Sequence, residues 1–380
     1  MSEVLQTQEV GSLAKPNWRV IPFREGRITA DHLQEAEEWA LRLDIDPERP
    51  LEVLVDAQTN LNTQGRLEPD QAVAIRSLAA RFAVRLQEKA GLDILYDGEQ
   101  DRPEMYQAAV EGTVGFEPRG RVRAFDNKSY EKSAITSPPG LIKPWHVEEV
   151  VRLQALTNRD IKVPITGAYT IADWSFDEYY AREEPLDTAK EKFVIDLARN
   201  VIRPNIESLL AKGVRWIQID EPAATTKKDE VPLFIRAFNE SVRGLAGRFS
   251  VHICFSDYSN LFPHIEQLEG CSQFSLEFAN RDPHDLGRDK AHRPAYEILA
   301  GFKRHAPETA IGLGVSDVHD NEIESPQLIR DRILRAVDIV ENPALVYPSP
   351  DCGLRTRSWD VAYDKLQAVA IGSGLAREQL

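Results

Sequence analysis

Beyond about residue 90, short β-branched runs recur along the chain, each closed by a polar turn and followed by a longer stretch of helical spacing. The runs are "LDILYDGE" (92–99), "IKVPITGAYTI" (161–171), "WIQIDEPA" (216–223) and "FSVHICFSD" (249–257). Three more follow: "QFSLEFAN" (273–280), "TAIGLGVSD" (309–317) and "ALVYPSPDCG" (344–353). An earlier run, "QEVGSL" (8–13), brings the set to eight. Between them the apolar spacing predicts helices over 146–157, 187–212, 230–246, 261–269, 289–304 and 326–341. Strands alternating with helices predict a parallel sheet. Eight of them predict closure into a (β/α)8 TIM barrel, an α/β fold spanning 1–380 as a single domain with N-terminal and post-strand-2 insertions.

Polar residues fall at one end of nearly every run. Asp97 and Glu99, Asp220 and Glu221, His252 with Cys254 and Asp257, Glu277, Asp317 and His319, and Asp351 with Cys352 all sit at or just past a strand's carboxyl end. In an α/β barrel those ends form one rim, where such folds place their chemistry. Helix capping accounts for Asp257 or Asp317, since Asp is a favoured cap. It does not account for Glu or Cys.

Composition narrows the class. Charged residues make up 28% and hydrophobic ones 42%, enough to bury a full core. With 46 basic against 61 acidic residues the net charge is −15, which argues against nucleic acid or an anionic membrane as a partner. No run approaches the ~18 apolar residues of a membrane span, and "MSEVLQTQEVGSLAKP" lacks the form of a secretory signal. The three cysteines are therefore expected to be reduced thiols in a cytoplasmic protein.

Alternation along a strand puts His252 and Cys254 on one face, two soft ligands side by side. Glu277, between Leu276 and Phe278, is an acid that would be costly to bury without a cation. Cys352 lies in a turn forced by Pro350 and Gly353. Zinc accepts thiolate, imidazole and carboxylate in a tetrahedron, so these strand ends make a candidate site. Cys271 precedes its strand and reads as structural.

"IQIDEPA", "VHICFSD", "GVSDVH" and "PDCGLRTR", with "ITGAYTIADWSF", stand in the order of the strand-end motifs of one family. The chain resembles the catalytic, carboxy-terminal barrel of the cobalamin-independent methionine synthases from Val10 to about Ala370, least at 25–90 and 110–140. The resemblance implies zinc held by His252, Cys254, Glu277 and Cys352. It implies homocysteine bound by Val10 and Ser12 at its carboxylate and by Glu99 and Asp220 at its amino group. Salt bridges to Arg355 or Arg357 are the alternative use of those two acids. Such a zinc centre suits alkyl transfer to sulfur, because the thiolate is the nucleophile and a thiol on zinc is deprotonated.

The resemblance also matches Trp174 to a pterin-stacking tryptophan and His319 to a proton-donating histidine. The family's second, folate-holding half has no counterpart, and 112–140 departs from its folate-contacting loop. Short, stand-alone versions of the barrel are associated with folate-independent synthesis, so the expected donor is methylcobalamin or a methylated corrinoid protein, with Trp174 lining its opening. The alternatives are folate-dependent synthesis, an epoxyalkane–coenzyme M transferase-like enzyme that needs cations where Glu99 and Asp220 stand, and a zinc-stabilised barrel that only binds its ligand.

Overall fold

The structure is a computed structural model that describes residues 4–102, 104–123 and 129–380. The first three residues of the amino terminus and positions 124–128 of the 112–140 loop lie outside the described residues. In chain order the strands are β1 (Ile94–Leu95), β2 (Thr113–Arg123), β3 (Ser129–Leu141), β4 (Asp160–Thr166) and β5 (Phe176–Asp177). They continue with β6 (Trp216–Asp220), β7 (Arg248–Ile253), β8 (Cys271–Leu276), β9 (Ala310–Ser316) and β10 (Val346–Pro350). The helices begin with α1 (Asn17–Glu25), α2 (Ala30–Arg42), α3 (Glu48–Gln64), α4 (Pro69–Ala90), α5 (Met105–Glu111), α6 (Val147–Gln154) and α7 (Ala168–Asp173). They end with α8 (Leu186–Leu197), α9 (Arg203–Ala211), α10 (Val231–Val242), α11 (Leu299–His305), α12 (Pro326–Val340) and α13 (Trp359–Arg377).

Seven strands form one parallel sheet in the order β1-β4-β6-β7-β8-β9-β10. The segment at Thr7–Glu9 closes it. Gln8 N–H donates to the Pro348 carbonyl of β10 (2.9 Å), and Ile94 N–H of β1 donates to the Thr7 carbonyl (3.0 Å). Gln8 bridges Ile94 in parallel, and Leu13 bridges Leu354 beyond β10. The sheet is thus curled into the expected TIM-barrel arrangement, its first strand reduced to two bridges. Strands β4, β6 and β9 are buried almost throughout, as strands covered on both faces must be.

The two insertions have distinct forms. Residues 17–64 supply α1, α2 and α3 before α4 connects the first strand segment to β1. Pro69 starts α4 at a position where no N–H is needed, and Gly91 (φ 98°) ends it in the left-handed region. Trp18, Phe82 and Trp359 pack edge-on and tilted between this layer and α13, with centroids 5.3 and 6.3 Å apart. The second insertion is the antiparallel hairpin β2–β3, to which β5 adds a short third strand.

Several element boundaries depart from the sequence expectations, mostly at prolines. The helix expected at 261–269 is two 3-10 turns, Tyr258–Leu261 and His264–Gln267. Pro263 pushes Phe262 into extended backbone (φ −90°, ψ 139°) and stops a helix from forming. The helix expected at 187–212 holds a π turn at Ala198–Ile202, just ahead of Pro204, whose missing N–H the wider turn absorbs. Pro294 delays the 289–304 helix, which opens as a 3-10 turn at Pro294–Ile298. The run 161–171 is a strand only to Thr166; Gly167 then caps α7.

Candidate active site

Parallel pairing fixes the height of each rim residue. Thr166 of β4 pairs with Asp220 of β6, Asp220 with His252 of β7, and His252 with Ser275 of β8. Cys254 and Glu277 stand just past the ends of β7 and β8, and Cys352 just past β10. The His252 ring nitrogen and the two sulfurs all lie within 4.8 Å of one another. Cys352 Sγ is 3.5 Å from His252 Nε2, while His252 Nδ1 lies 3.0 Å from the Ser275 carbonyl. A carbonyl can only accept, so Nδ1 carries the hydrogen and Nε2 turns its lone pair toward the sulfurs. Metal-ligating imidazoles are held in this way.

Electrostatics favour a cation here. The adjacent Cys254 thiol, and then the His252 ring, hold the Cys352 thiol well below its ordinary range. The same contact, then burial, pushes Cys254 well above its own. Cys352 is thus the thiolate and Cys254 keeps its proton; ionising both in so closed a space needs a balancing charge, and zinc fits the donor set.

Glu277 is not brought into this group at that spacing. It is fully buried, and its Oε1 accepts from Arg281 (2.9 Å) and Asn280 (3.2 Å). Its Oε2 is buried with no hydrogen-bond partner, an acceptor left for a ligand. Cys271 lies at the opposite end of β8, its thiol pushed up to about 12 by burial, in keeping with a structural role.

The substrate candidates converge on the same rim. Leu13 N–H donates to the Gly98 carbonyl (3.1 Å) and Leu354 N–H to the Ser12 carbonyl (2.7 Å), stitching Val10–Ser12 between Glu99 and Cys352. A Cβ at Gly353 would overlap Ser12 Oγ, so that approach needs glycine. Gln218 Nε2 donates to both the Val10 carbonyl and Asp220 Oδ1 (2.8 Å each). Burial pushes the Asp220 carboxyl up to about 6.

Glu99 does form an arginine pair, with Arg102, while Arg357 reaches Asn321 (2.8 Å). Burial opposes ionisation of Glu99, yet the Arg102 guanidinium, with Lys15 and Arg355, holds it below its usual range. The i,i+3 spacing of Glu99 and Arg102 was the available signal for this pair.

Trp174 closes α7, its ring beside Tyr130 (5.9 Å) and Tyr106 (6.2 Å). His319 is exposed in the turn after β9, its ring 4.9 Å from Phe255, the residue after Cys254. The sequence reading assigned no such task to Asp351. This residue accepts from the backbone N–H groups of Phe278, Ala279 and Asn280 (2.9, 2.9 and 2.7 Å), tying the turn after Glu277 to Cys352. Burial pushes its carboxyl up to about 8.

Comparison with known proteins agrees with this geometry. A methionine synthase of Thermococcus kodakarensis is 35% identical over 323 residues, covering 84% of this chain and 89% of that one. One from Pyrococcus horikoshii is 32% identical over 381 residues, covering 99% and 94%. A solved B12-independent methionine synthase from Shewanella sp. W3-18-1, in complex with selenomethionine, shares the fold with a TM-score of 0.76 at 23% identity, covering 99% and 98% of the two chains. No helix among the described residues is long and apolar enough to cross a membrane. The family described as cobalamin-independent synthase, catalytic domain, matches residues 54–372, and the chain belongs to it.

Proposed function

We propose that the protein makes methionine by transferring a methyl group to the sulfur of homocysteine. One observation carries the reading: buried His252 and Cys254, with half-buried Cys352, share a rim with two acids, Glu99 and Asp220. A zinc ion bound there would hold the homocysteine sulfur as thiolate at neutral pH.

The chain's own residues do the rest. The Ser275 carbonyl fixes the His252 ring, and Asp351 fixes the turn that follows Glu277. Glu277 is the fourth ligand in this reading. As the hardest donor it would be the one most readily displaced by a thiolate if zinc were bound, and Arg281 and Asn280 already bond its Oε1. Glu99 and Asp220 receive the amino group, while Val10 and Ser12 receive the carboxylate. Coenzyme M, with a sulfonate and no amino group, would face two carboxylates.

The proposed donor is methylcobalamin or a methylated corrinoid protein, acting as co-substrate rather than resident cofactor. A corrinoid leaves as Co(I) without needing a proton, whereas a folate nitrogen needs a positioned acid. On this reading His319, which is exposed against Phe255, would supply that acid, and Trp174 would line the donor side. Methyltetrahydrofolate is thus the competing donor. The test is zinc-loaded protein with homocysteine and either donor, scored for methionine. Product from methylcobalamin supports the proposal. Product only from methyltetrahydrofolate overturns the donor, and none from any methyl donor overturns the function.

A further inference from the structure

Behind Glu99 lies a buried polar chain that the proposed reaction does not use. Arg102, whose side chain is only 2% exposed, pairs with Glu99 on one side. On the other its Nη1 lies 3.2 Å from His146 Nε2 and donates to the Pro164 carbonyl (3.1 Å). Guanidinium has no acceptor, so His146 Nε2 must present a lone pair and Nδ1 must carry the hydrogen. That hydrogen points at Glu149 Oε2 (2.8 Å), which also accepts from the Tyr96 hydroxyl (3.2 Å). His146 itself is held in the left-handed region (φ 62°, ψ 5°) at the start of α6, a conformation uncommon for residues other than Gly but adopted by His more readily than by most. Glu99 is left-handed as well (φ 56°), and its backbone N–H donates to Asp97 Oδ1 (2.8 Å). Two strained turns thus aim a continuous chain, Tyr96–Glu149–His146–Arg102–Glu99, at the rim.

We propose that His146 is a positioning residue for recognition of the substrate's amino group: by anchoring Arg102 from behind, it aims the Glu99 carboxylate at the incoming ammonium. The inference rests on the reading of Glu99 as an amino-group ligand. Arg102 engages Glu99 Oε1, which on this reading leaves Oε2 for the ammonium. Freed from His146, the long arginine side chain would sample other rotamers and carry Glu99 with it.

The two amide isosteres separate this role from a structural one. Asn is well tolerated in the left-handed region, and its amide reproduces the Nδ1 donor toward Glu149 but not the Nε2 acceptor. Gln places an acceptor where Nε2 stood. The measurement is calorimetric binding, to zinc-loaded protein, of homocysteine and of mercaptobutanoate, which is homocysteine without its amino group. His146→Asn should lower the preference for homocysteine by about tenfold at unchanged zinc content and unchanged affinity for mercaptobutanoate. His146→Gln should restore most of it. In a Glu99→Gln background, His146→Asn should have no further effect on the preference. If wild type prefers homocysteine and His146→Asn keeps that preference, the inference is wrong and the reading of Glu99 stands. If wild type binds both thiols equally, the amino-group reading itself falls, and this inference with it.

Discussion

Glu99→Gln tests stability and recognition together, because the carboxylate serves both a buried arginine and a ligand. The pair side chains are 2% and 13% exposed, so solvent screens them little. At contact distance and an effective dielectric of ~20, their attraction is about 5 kcal/mol before desolvation. Removing one partner of a buried pair typically costs about 3–5 kcal/mol, because the other charge is stranded. Gln retains an acceptor oxygen for Arg102, which reduces the expected loss to about 2 kcal/mol. At ~2.1 cal/mol/K per residue over this chain, that lowers the melting point by about 2.5 °C. Homocysteine binding should weaken by about 1.5–3 kcal/mol, the worth of one charge-assisted contact. Adding Arg102→Met removes the stranded charge, so the double variant should regain most of the melting temperature but none of the affinity. Scanning calorimetry and binding titrations read the two effects separately. If Glu99→Gln matched wild type in both, the pair would be neither buried in effect nor part of recognition.

Three further outcomes follow from the site. Cys352→Ala should lose zinc and methyl transfer, while Cys271→Ala should keep both; metal analysis of the two variants decides, and full zinc in Cys352→Ala removes that residue from the centre. His319→Ala should slow turnover with methylcobalamin by less than about tenfold, against the roughly 10²–10⁴-fold that loss of a working general acid brings. The third concerns pH. Burial first raises Glu9 to about 7, Asp220 to about 6, Glu221 to about 7 and Asp351 to about 8. Each such carboxyl holds a proton in the fold where the unfolded chain has lost it, so its stabilisation is present below its ordinary value and disappears as pH rises through the raised one. Metal-free protein should therefore melt lower at pH 7 than at pH 5. Above that window Lys162, lowered by burial to about 7, acts in the opposite sense. A melting point that rose from pH 5 to pH 7 would contradict the assignment.

The barrel was legible because its strands are β-branched runs that stop at polar residues, and burial on both faces demands that pattern. His252, Cys254 and Cys352 were legible as soft ligands at strand ends, and the structure brings them together. What escaped the sequence depends on long-range geometry or on proline. Pro263 and Pro294 override helical spacing that the apolar residues otherwise support. The run at 8–13 was read as a strand and does close the barrel, but its pairing with Pro348, far away in the chain, shrinks it to isolated bridges that no local pattern marks. His146 meets Arg102 across 44 positions, a contact that no local pattern marks. Glu277 was read as a ligand from the cost of burying an acid. The structure buries it with one oxygen bonded to Arg281 and Asn280 and the other without a partner.

The central claim is that His252, Cys254 and Cys352 hold a zinc ion that takes up the homocysteine sulfur. X-ray absorption at the zinc edge counts the sulfurs around the metal directly. The account predicts two sulfurs in the zinc-loaded protein and three after homocysteine is added, with an oxygen ligand lost as the third sulfur arrives. A sulfur count that stayed at two in saturating homocysteine would contradict it.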